Sequence, residues 1–391
     1  MGEVRSKRIA ITGADGFIGR YVLNRLHREQ GLQVVPIGRS AFSQPTLTDR
    51  LRDVSVVIHA AGMNRGDADL VEKENPAMAE RLISALDLAN VQPRLLYTSS
   101  IQERFDNSYG RGKLRARTVL CDWGRGRGVS VCTQVLPNVF GQGCRPFYNS
   151  VVATFCHQLA KGEIPKLIED RAVPLVHVDR VVEQLVKDAL SPENPPKERE
   201  ILPDRQILVS DLLRLLTGLL DAIRREGCLP ALQDRFEINL YHTLRSYLPQ
   251  AELERRPPPK CDARGSLFEV VKQLGGGQVF FSTTNAGVVR GNHYHTRKIE
   301  RFCVISGEAI IRMRRIGTDE VVEFPVSGTT PSTVEMPVWF THHIQNCGPG
   351  ELLTLFWCNE VFDPSDPDTF SEDVILAPNA AVVGAANMES R

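Results

Sequence analysis

Between Lys7 and about Val135, short runs of β-branched and aliphatic residues alternate with stretches whose apolar positions recur at helical spacing. "RIAIT" (8–12), "QVVPI" (33–37), "VSVVIHA" (54–60), "RLLYTS" (94–99) and "VSVCTQV" (129–135) read as strands, and residues 17–28, 70–88 and the segment after Tyr109 as helices. Apolar strands separated by helices predict a parallel sheet buried on both faces by its crossovers. From Asn138 to about Leu248 helical periodicity dominates, as in "NSVVATFCHQLAKG" and "SDLLRLLTGLLDAI", and is read as ordinary core packing. "PQAELERRPPPK" (249–260) is charged and proline-rich, which marks a linker. Beyond it the texture changes to short runs rich in Val, Phe, Ile and Thr, such as "GQVFFSTT" and "LLTLFWCNE", punctuated by Gly and Asn. That texture predicts an antiparallel β barrel or sandwich. The expected division is a first domain over 1–250, a linker over 251–260, a second domain over 261–375 and a frayed tail over 376–391.

With 391 residues the chain is too long for one ordinary core, in line with two domains. Lys+Arg and Asp+Glu both total 47, so no net field draws the chain to nucleic acid or to an anionic membrane. The basic cluster over 111–127 is read as a solvated helix face. No apolar run reaches the roughly 18 residues of a membrane span. The polar, basic start passes directly into a strand pattern, so no signal peptide is expected. Nine scattered cysteines without a CxxC pair suit reduced thiols and a cytoplasmic protein.

"TGADGFIG" places Gly13, Gly16 and Gly19 after a strand and at the opening of a helix. Glycines there let the backbone approach a pyrophosphate, and the helix start offers unpaired N–H groups. After the second strand, where an acid would hold an NAD ribose, the chain reads "PIGRSA". Arg39, helped by Ser40, suits a 2′-phosphate, so NADPH is the expected cofactor. "YGRGK" sets Tyr109 and Lys113 one helical turn apart, where the ammonium can lower the pKa of the phenol from about 10 towards neutrality and make it a usable proton donor. "YTSS" and "HAAG" at two strand ends support that reading. Ser100, or else Ser99, would hydrogen-bond the substrate carbonyl, and "PNVFG" (137–141) would lie beside the nicotinamide.

His293, His295, Glu300 and Gly307 follow the pattern HxHxxxxExxxxxxG, and Pro337, His342 and Asn346 follow PxxxxHxxxN. Alternation puts His293 and His295 on one face of a strand, and His342 arrives from a later one. Three imidazoles and a carboxylate suit a divalent zinc, manganese, iron or nickel ion, with zinc foremost. His343 faces the other way and is read as structural.

The first set of motifs resembles the extended short-chain dehydrogenase/reductases that act on nucleotide sugars, and the second resembles the two cupin motifs, with Trp339 in place of a glycine. The resemblance implies a Rossmann-type α/β domain followed by an all-β cupin (jelly-roll) barrel. It implies cofactor contacts from Gly13, Asp15, Gly16, Phe17, Ile18, Gly19, Arg39, Ser40, Ala60, Ala61, Gly62, Tyr109, Lys113, Pro137 and Asn138. Catalysis would fall to Ser100, Tyr109 and Lys113, with substrate contacts from Asn149 and Ser150. The pairing of the two domains, with "RPFYNSVVATFC", "DARGSLFEV" and "FDPSDPDTF", is similar to the bifunctional enzymes of bacterial capsule and O-antigen synthesis that lead to UDP-N-acetyl-L-fucosamine. That implies a homodimer in which the cupin epimerises C3 of a UDP-2-acetamido-2,6-dideoxy-4-ketohexose and the reductase reduces C4, giving the L-talose sugar. A single-activity 4-ketosugar reductase or epimerase with a structural cupin, or a silent sugar-nucleotide sensor, stays open as an alternative.

Overall fold

The computed structural model describes residues 7–42, 44–226, 230–256, 260–262, 265–267, 277–360 and 363–376. Its contacts divide the chain into two compact units, Met1–Thr217 and Gly218–Arg391.

In the first unit, β1 (Lys7–Thr12), α1 (Phe17–Leu26), β2 (Leu32–Ile37), the short α2 (Arg39–Phe42) and α3 (Leu47–Leu51), β3 (Val56–His59), α4 (Ala68–Leu88), β4 (Arg94–Ser100), α5 (Ser108–Arg127) and β5 (Val131–Leu136) alternate as the apolar pattern predicts. With β8 (Glu198–Glu200) the strands form a six-stranded parallel sheet in the order β2-β1-β3-β4-β5-β8. Ile9, Ile11 and Ile58 point to one face, where they meet Val22 and Leu26 of α1 and, from α7 (Val178–Leu190), Val181 and Leu185. Ala10, Val57 and Tyr97 point to the other, against Leu82 and Leu86 of α4 and Ala116 and Leu120 of α5. Strand order reverses at β1, so a crevice opens at the carboxyl ends of β1 and β3, where such sheets bind ligands. The arginines of α5 lie on its outer face in ion pairs, Arg111 and Arg115 with Glu72 and Arg127 with Asp87.

The helical reading of residues 138–248 needs correction. Besides α6 (Val151–Ala160), α7 and α8 (Val209–Asp221), the segment holds β6 (Asn138–Phe140), β7 (Ala172–His177), β8 and β9 (Arg205–Leu208). β6, β7 and β9 make a small separate sheet. Most of these strands are only three or four residues long and β7 contains Pro174, so none shows the alternation that marks a longer strand.

In the second unit, α9 (Arg235–Arg245) packs on β-structure. β10 (Glu254–Arg255), β13 (Gln278–Thr284), β15 (Glu300–Ser306), β18 (Thr333–Met336) and β20 (Leu352–Cys358) form one antiparallel sheet of five strands, in the order β10-β18-β15-β20-β13. β14 (Val289–Tyr294), β16 (Glu308–Arg315), β17 (Val321–Ser327), β19 (Phe340–Asn346) and β21 (Phe370–Ser371) form the other, ordered β17-β16-β19-β14-β21. β11 (Lys260–Asp262) and β12 (Gly265–Leu267) pair with each other. Phe302, Val304 and Phe356 from the first sheet and Ile311, Phe324 and Ile344 from the second share one core. Of the barrel or sandwich expected, hydrogen bonding among the described residues makes two antiparallel sheets facing a common core, without closure between them.

The unit boundary falls before the proline-rich stretch, because α9 is tied to the strands. Tyr241 Oη and Arg245 Nε both donate to Glu335 Oε1 at 2.9 Å, and Arg301 donates to Glu335 Oε2 at 3.0 and 3.2 Å. Burial alone would raise the Glu335 carboxyl, but Arg245 and Arg301 hold it at about 2. The expected linker is ordered at its start, with a 3₁₀ turn over Gln250–Leu253 followed by β10, and residues 257–259 lie outside the described ones. The expected tail, apart from Leu376, also lies outside them. Among the described residues no helix is long and apolar enough to cross a membrane.

Candidate active site and metal centre

The crevice of the first unit is a cavity of about 650 Å³. One wall is the glycine turn between β1 and α1. Gly13 has φ +71°, and a Cβ there would lie 2.7 Å from the Ala61 nitrogen, while a Cβ on Gly19 would overlap the Gly13 carbonyl. Gly16 begins α1 without a side-chain cap, and no acid stands in the first turn, so the helix start presents its N–H groups and positive dipole end to an anion. Asp15 accepts a hydrogen bond from Arg39 N at 3.0 Å, which joins the turn to the end of β2.

Most of the predicted cofactor residues converge here. Asp15, Gly16, Phe17, Ile18, Gly19, Arg39, Ala60, Gly62, Pro137 and Asn138 all line the cavity. Gly13 and Ala61 shape it from behind, Ala61 N donating to Thr12 Oγ1 at 3.4 Å. Ser40 is exposed on α2 and is not among the lining residues.

On the opposite wall stand Ser99, Ser100, Tyr109 and Lys113. The two serines separate cleanly. Ser99 Oγ donates to Glu103 Oε2 at 2.5 Å, whereas Ser100 hydrogen-bonds Tyr109. The short gap between Ser100 and Tyr109 is spanned by a 3₁₀ turn over Ile101–Arg104 and by Asn107, whose side chain accepts from Gly110 N at 2.8 Å and starts α5. A side chain at Gly110 would overlap the Gln102 carbonyl, so this glycine is what lets so short a connection close.

The expected tuning of Tyr109 by Lys113 is corrected. Burial raises the phenol well above its ordinary value, outweighing the hydrogen bond to Ser100. Lys113 Nζ instead donates to Thr98 O at 2.6 Å and lies 4.5 Å from the centre of the Tyr97 ring. Burial lowers the Lys113 ammonium to about 7, against an opposing pull from Glu103. A high value keeps Tyr109 protonated, which is the form a proton donor requires.

Asn149 lines the cavity. Ser150 does not: its hydroxyl turns inward to cap α6, accepting from Ala153 N at 3.3 Å. Asn64, Gln102, Arg145, Tyr148 and Arg171 line the cavity and were missed. Arg65 holds the Phe147 and Tyr148 carbonyls at 2.6 and 3.2 Å, and Phe147 sits at φ +56°. A non-glycine residue held in that region marks stored backbone strain, but no sequence motif announces it.

In the second unit, His293, His295, Glu300 and His342 come together, and one ligand atom from each lies within 4.8 Å of all the others. His293 and His342 are cross-strand partners on β14 and β19, and Glu300 opens β15 in the facing sheet. An irregularity between Gly291 and His293, with Asn292 at φ +58°, turns the strand just ahead of the first histidine.

The ring orientations suit a cation. His295 Nδ1 lies 2.6 Å from Asp368 O and His342 Nδ1 3.1 Å from Phe340 O, and His293 bonds the Gly291 backbone. A carbonyl can only accept, so Nδ1 carries a proton in His295 and His342, and each Nε2 is left facing Glu300. Burial opposes a charged His295, but the Glu300 carboxylate draws its pKa upward when no cation lies between them. Those Nε2 atoms lie 3.1 and 3.5 Å from Glu300 Oε2, buried and without a hydrogen-bond partner. Buried acceptors left unpaired beside a carboxylate are what a metal would satisfy. Burial and the two neighbouring imidazoles lower His293 to about 4, which favours its neutral, ligating form.

His343 faces away and pairs with Asn292 Oδ1 at 2.8 Å. Trp339 has φ +64°, the conformation a glycine adopts most easily, and its ring stacks on Tyr294 at 5.7 Å. Asn346 is structural, its amide donating to the Thr284 and Gly350 carbonyls at 2.9 and 2.8 Å.

A doubly wound sheet with a glycine turn and a Ser–Tyr–Lys wall defines a nucleotide-dependent enzyme class, and residues 9–201 match the NAD dependent epimerase/dehydratase family. Residues 260–370 match the polysaccharide biosynthesis C-terminal domain. Over 367 residues, covering 93% of this chain and 98% of the relative, the sequence is 35% identical to a UDP-2-acetamido-2,6-beta-L-arabino-hexul-4-ose reductase of Pseudomonas aeruginosa. The chain belongs to the family of that reductase. Among solved structures it is similar to the capsular polysaccharide assembling protein CapF from Staphylococcus aureus, with 31% identity, a TM-score of 0.59, and coverage of 94% of this chain and all of that one. The UDP-glucose 4-epimerase of Thermotoga maritima, 19% identical with a TM-score of 0.50 over 61% of this chain and 98% of that one, shares the fold.

Proposed function

We propose that the protein is a bifunctional, NADPH-dependent enzyme acting on a UDP-2-acetamido-2,6-dideoxy-4-ketohexose. The second unit, read as a metal-binding cupin of the jelly-roll kind, inverts C3, and the first reduces the C4 ketone to the L-talose sugar. The observation that carries this reading is the presence of two separately built sites: a Ser100–Tyr109–Lys113 wall on a dinucleotide crevice, and a half-buried His₃Glu set whose ligand atoms converge. The name of the Pseudomonas aeruginosa relative supports the ketosugar substrate.

In the first unit the glycine turn, Pro137 and Asn138 would hold NADPH, with Arg39 at the 2′-phosphate. NADPH supplies hydride when bound. Ser100 donates a hydrogen bond to the C4 oxygen, and Tyr109 gives its phenolic proton to that oxygen as negative charge develops. Arg145 and Arg171, on the cavity wall, offer cationic partners to a sugar-nucleotide diphosphate.

In the second unit His293, His295, Glu300 and His342 would hold a divalent ion, zinc foremost. Its Lewis-acid charge beside a carbonyl would make the adjacent C–H acidic. His295 and His342 are buried between the two sheets, where charge interactions are stronger than in water. Epimerisation must precede reduction, because the C3 proton is acidic only while C4 is a ketone.

One incubation tests the reading: the 4-ketosugar, NADPH and the enzyme in deuterated water, followed by NMR. Deuterium at C3 of an L-talose product is expected. NADPH oxidation without deuterium at C3 would leave a single-activity reductase. Two copies of the chain per particle are expected from light scattering.

A further inference from the structure

The His₃Glu set is assembled from strand ends, yet the segment that joins two of its members is held from far along the chain. His295 lies just beyond β14, and Glu300 opens β15. Residues 296–299 between them are coil in which three consecutive backbone N–H groups, those of Thr296, Arg297 and Lys298, turn towards one carboxylate. That carboxylate is Asp368, with distances of 3.1, 2.9 and 3.0 Å. The Thr296 hydroxyl adds a fourth hydrogen bond at 2.6 Å. Successive amides converging in this way form a nest that favours an anion.

The same residue acts a second time. The Asp368 backbone carbonyl accepts from His295 Nδ1 at 2.6 Å, across 73 residues of sequence. Asp368 is 3% exposed and sits at φ +44°, where a residue with a Cβ is disfavoured. Its conformation is therefore imposed by what its two ends hold. Around it the grip is reinforced: Lys298 Nζ donates to Pro367 O at 2.6 Å, and Arg297 reaches Glu360 and Asp366 at 3.0 Å.

We propose that Asp368 is a positioning residue for the metal centre: its carboxylate locks the 296–298 turn, and its carbonyl fixes the tautomer and aim of His295, so that His295 and Glu300 meet the ion pre-arranged. The inference rests on the metal-binding reading given above. It concerns a residue outside both histidine motifs and assigns the segment 363–370 a part in metal affinity.

The full-length protein is tested as wild type, Asp368→Ala, Asp368→Asn and His295→Ala. Zinc affinity is measured by competition with a chromophoric chelator, and cobalt(II)-saturated samples are compared by visible absorption. Asp368→Ala is expected to weaken zinc binding about 10- to 100-fold, in the range seen when partners of ligating histidines are removed, and to alter the cobalt bands. Both variants keep the backbone carbonyl, but Asp368→Asn also keeps one side-chain acceptor oxygen for the nest, so it should retain the wild-type cobalt spectrum with a loss of less than about tenfold. This rescue separates positioning from general loosening, and NADPH binding should be equal in all four proteins. Wild-type zinc affinity and an unchanged cobalt spectrum in Asp368→Ala would overturn the inference while leaving the metal site intact. If Asp368→Asn lost metal as fully as Asp368→Ala, an acceptor oxygen in the nest would not be what holds the turn, which also overturns it. A wild-type protein that takes up neither metal, or a His295→Ala protein that binds as wild type does, overturns the ligand set itself.

Discussion

The two units place their chemistry on opposite kinds of scaffold. In the first, the functional groups stand around an open crevice at the ends of parallel strands, on turns and on the first turns of helices. In the second, the donors sit on or beside antiparallel strands, between two sheets. The crevice suits ligands that must enter and leave, and its polar groups come from many points along the chain. The buried set suits a resident ion, and its tautomers are fixed by backbone carbonyls instead of by solvent. The lesson lies in what each site must avoid. An open crevice can leave Arg39 exposed, whereas the enclosed Nε2 atoms of His295 and His342, beside Glu300, call for a cation.

The largest effect that would sharpen this contrast is Tyr109→Phe. Loss of the proton donor should cut NADPH oxidation by about a thousandfold, within the range for general acids, while NADPH affinity and metal content stay unchanged. A stopped-flow trace at near-normal rate would remove Tyr109 from the chemistry. A second test uses the buried Lys113 ammonium, lowered by burial from 10.5 to about 7. Between those values the folded protein binds fewer protons than the unfolded chain, so this group makes stability rise with pH, by up to about 1.4 kcal/mol per pH unit. Below about 7 the cost of charging the buried lysine is fully present, and above 10.5 it is gone. Lys113→Met should abolish that slope in denaturant titrations of the cofactor-free protein. An identical slope in both proteins would mean that the amine is solvated.

Arg39→Ala should cost about 1–3 kcal/mol of NADPH affinity and leave NADH affinity alone, as for an exposed charge-assisted contact. Calorimetric titration with both dinucleotides checks it, and equal losses for the two would refute the 2′-phosphate assignment. The smallest effect belongs to the second unit. Trp339→Gly relieves roughly 1 kcal/mol of left-handed strain and forfeits a stacking contact of similar size. Stability should move by no more than about 1 kcal/mol, with zinc content unchanged. A drop of several kcal/mol in the unfolding transition would show that the indole, not the backbone, shapes that turn.

The outline of both units was legible wherever the signal is local. The glycine turn, the Tyr109–Lys113 pair and the His293–His295–Glu300 series each lie within a few residues of sequence, and each came together in space. Short elements were lost: β6, β8 and β9 have too few residues for a period to show. Ser150 was misjudged because a helix cap and a substrate contact use the same hydroxyl chemistry. Arg145, Tyr148 and Arg171 belong to the crevice through tertiary placement alone. Asp368 meets the metal-site segment through backbone amides, which leave no trace in side-chain patterns. The unit boundary was set by the buried Glu335 cluster, whose partners are spread over 94 residues of sequence separation.

That cluster decides how the protein can be cut. A fragment starting at Lys260, near the edge of the matched C-terminal domain, would keep Glu335 and Arg301 but discard Tyr241 and Arg245, along with Leu253 from the core. It would expose the ground on which α9 rests and leave a buried carboxylate with half its donors. A fragment starting at Gly218 carries α9 with it, and is the longer piece from which a folded β-unit should be recovered.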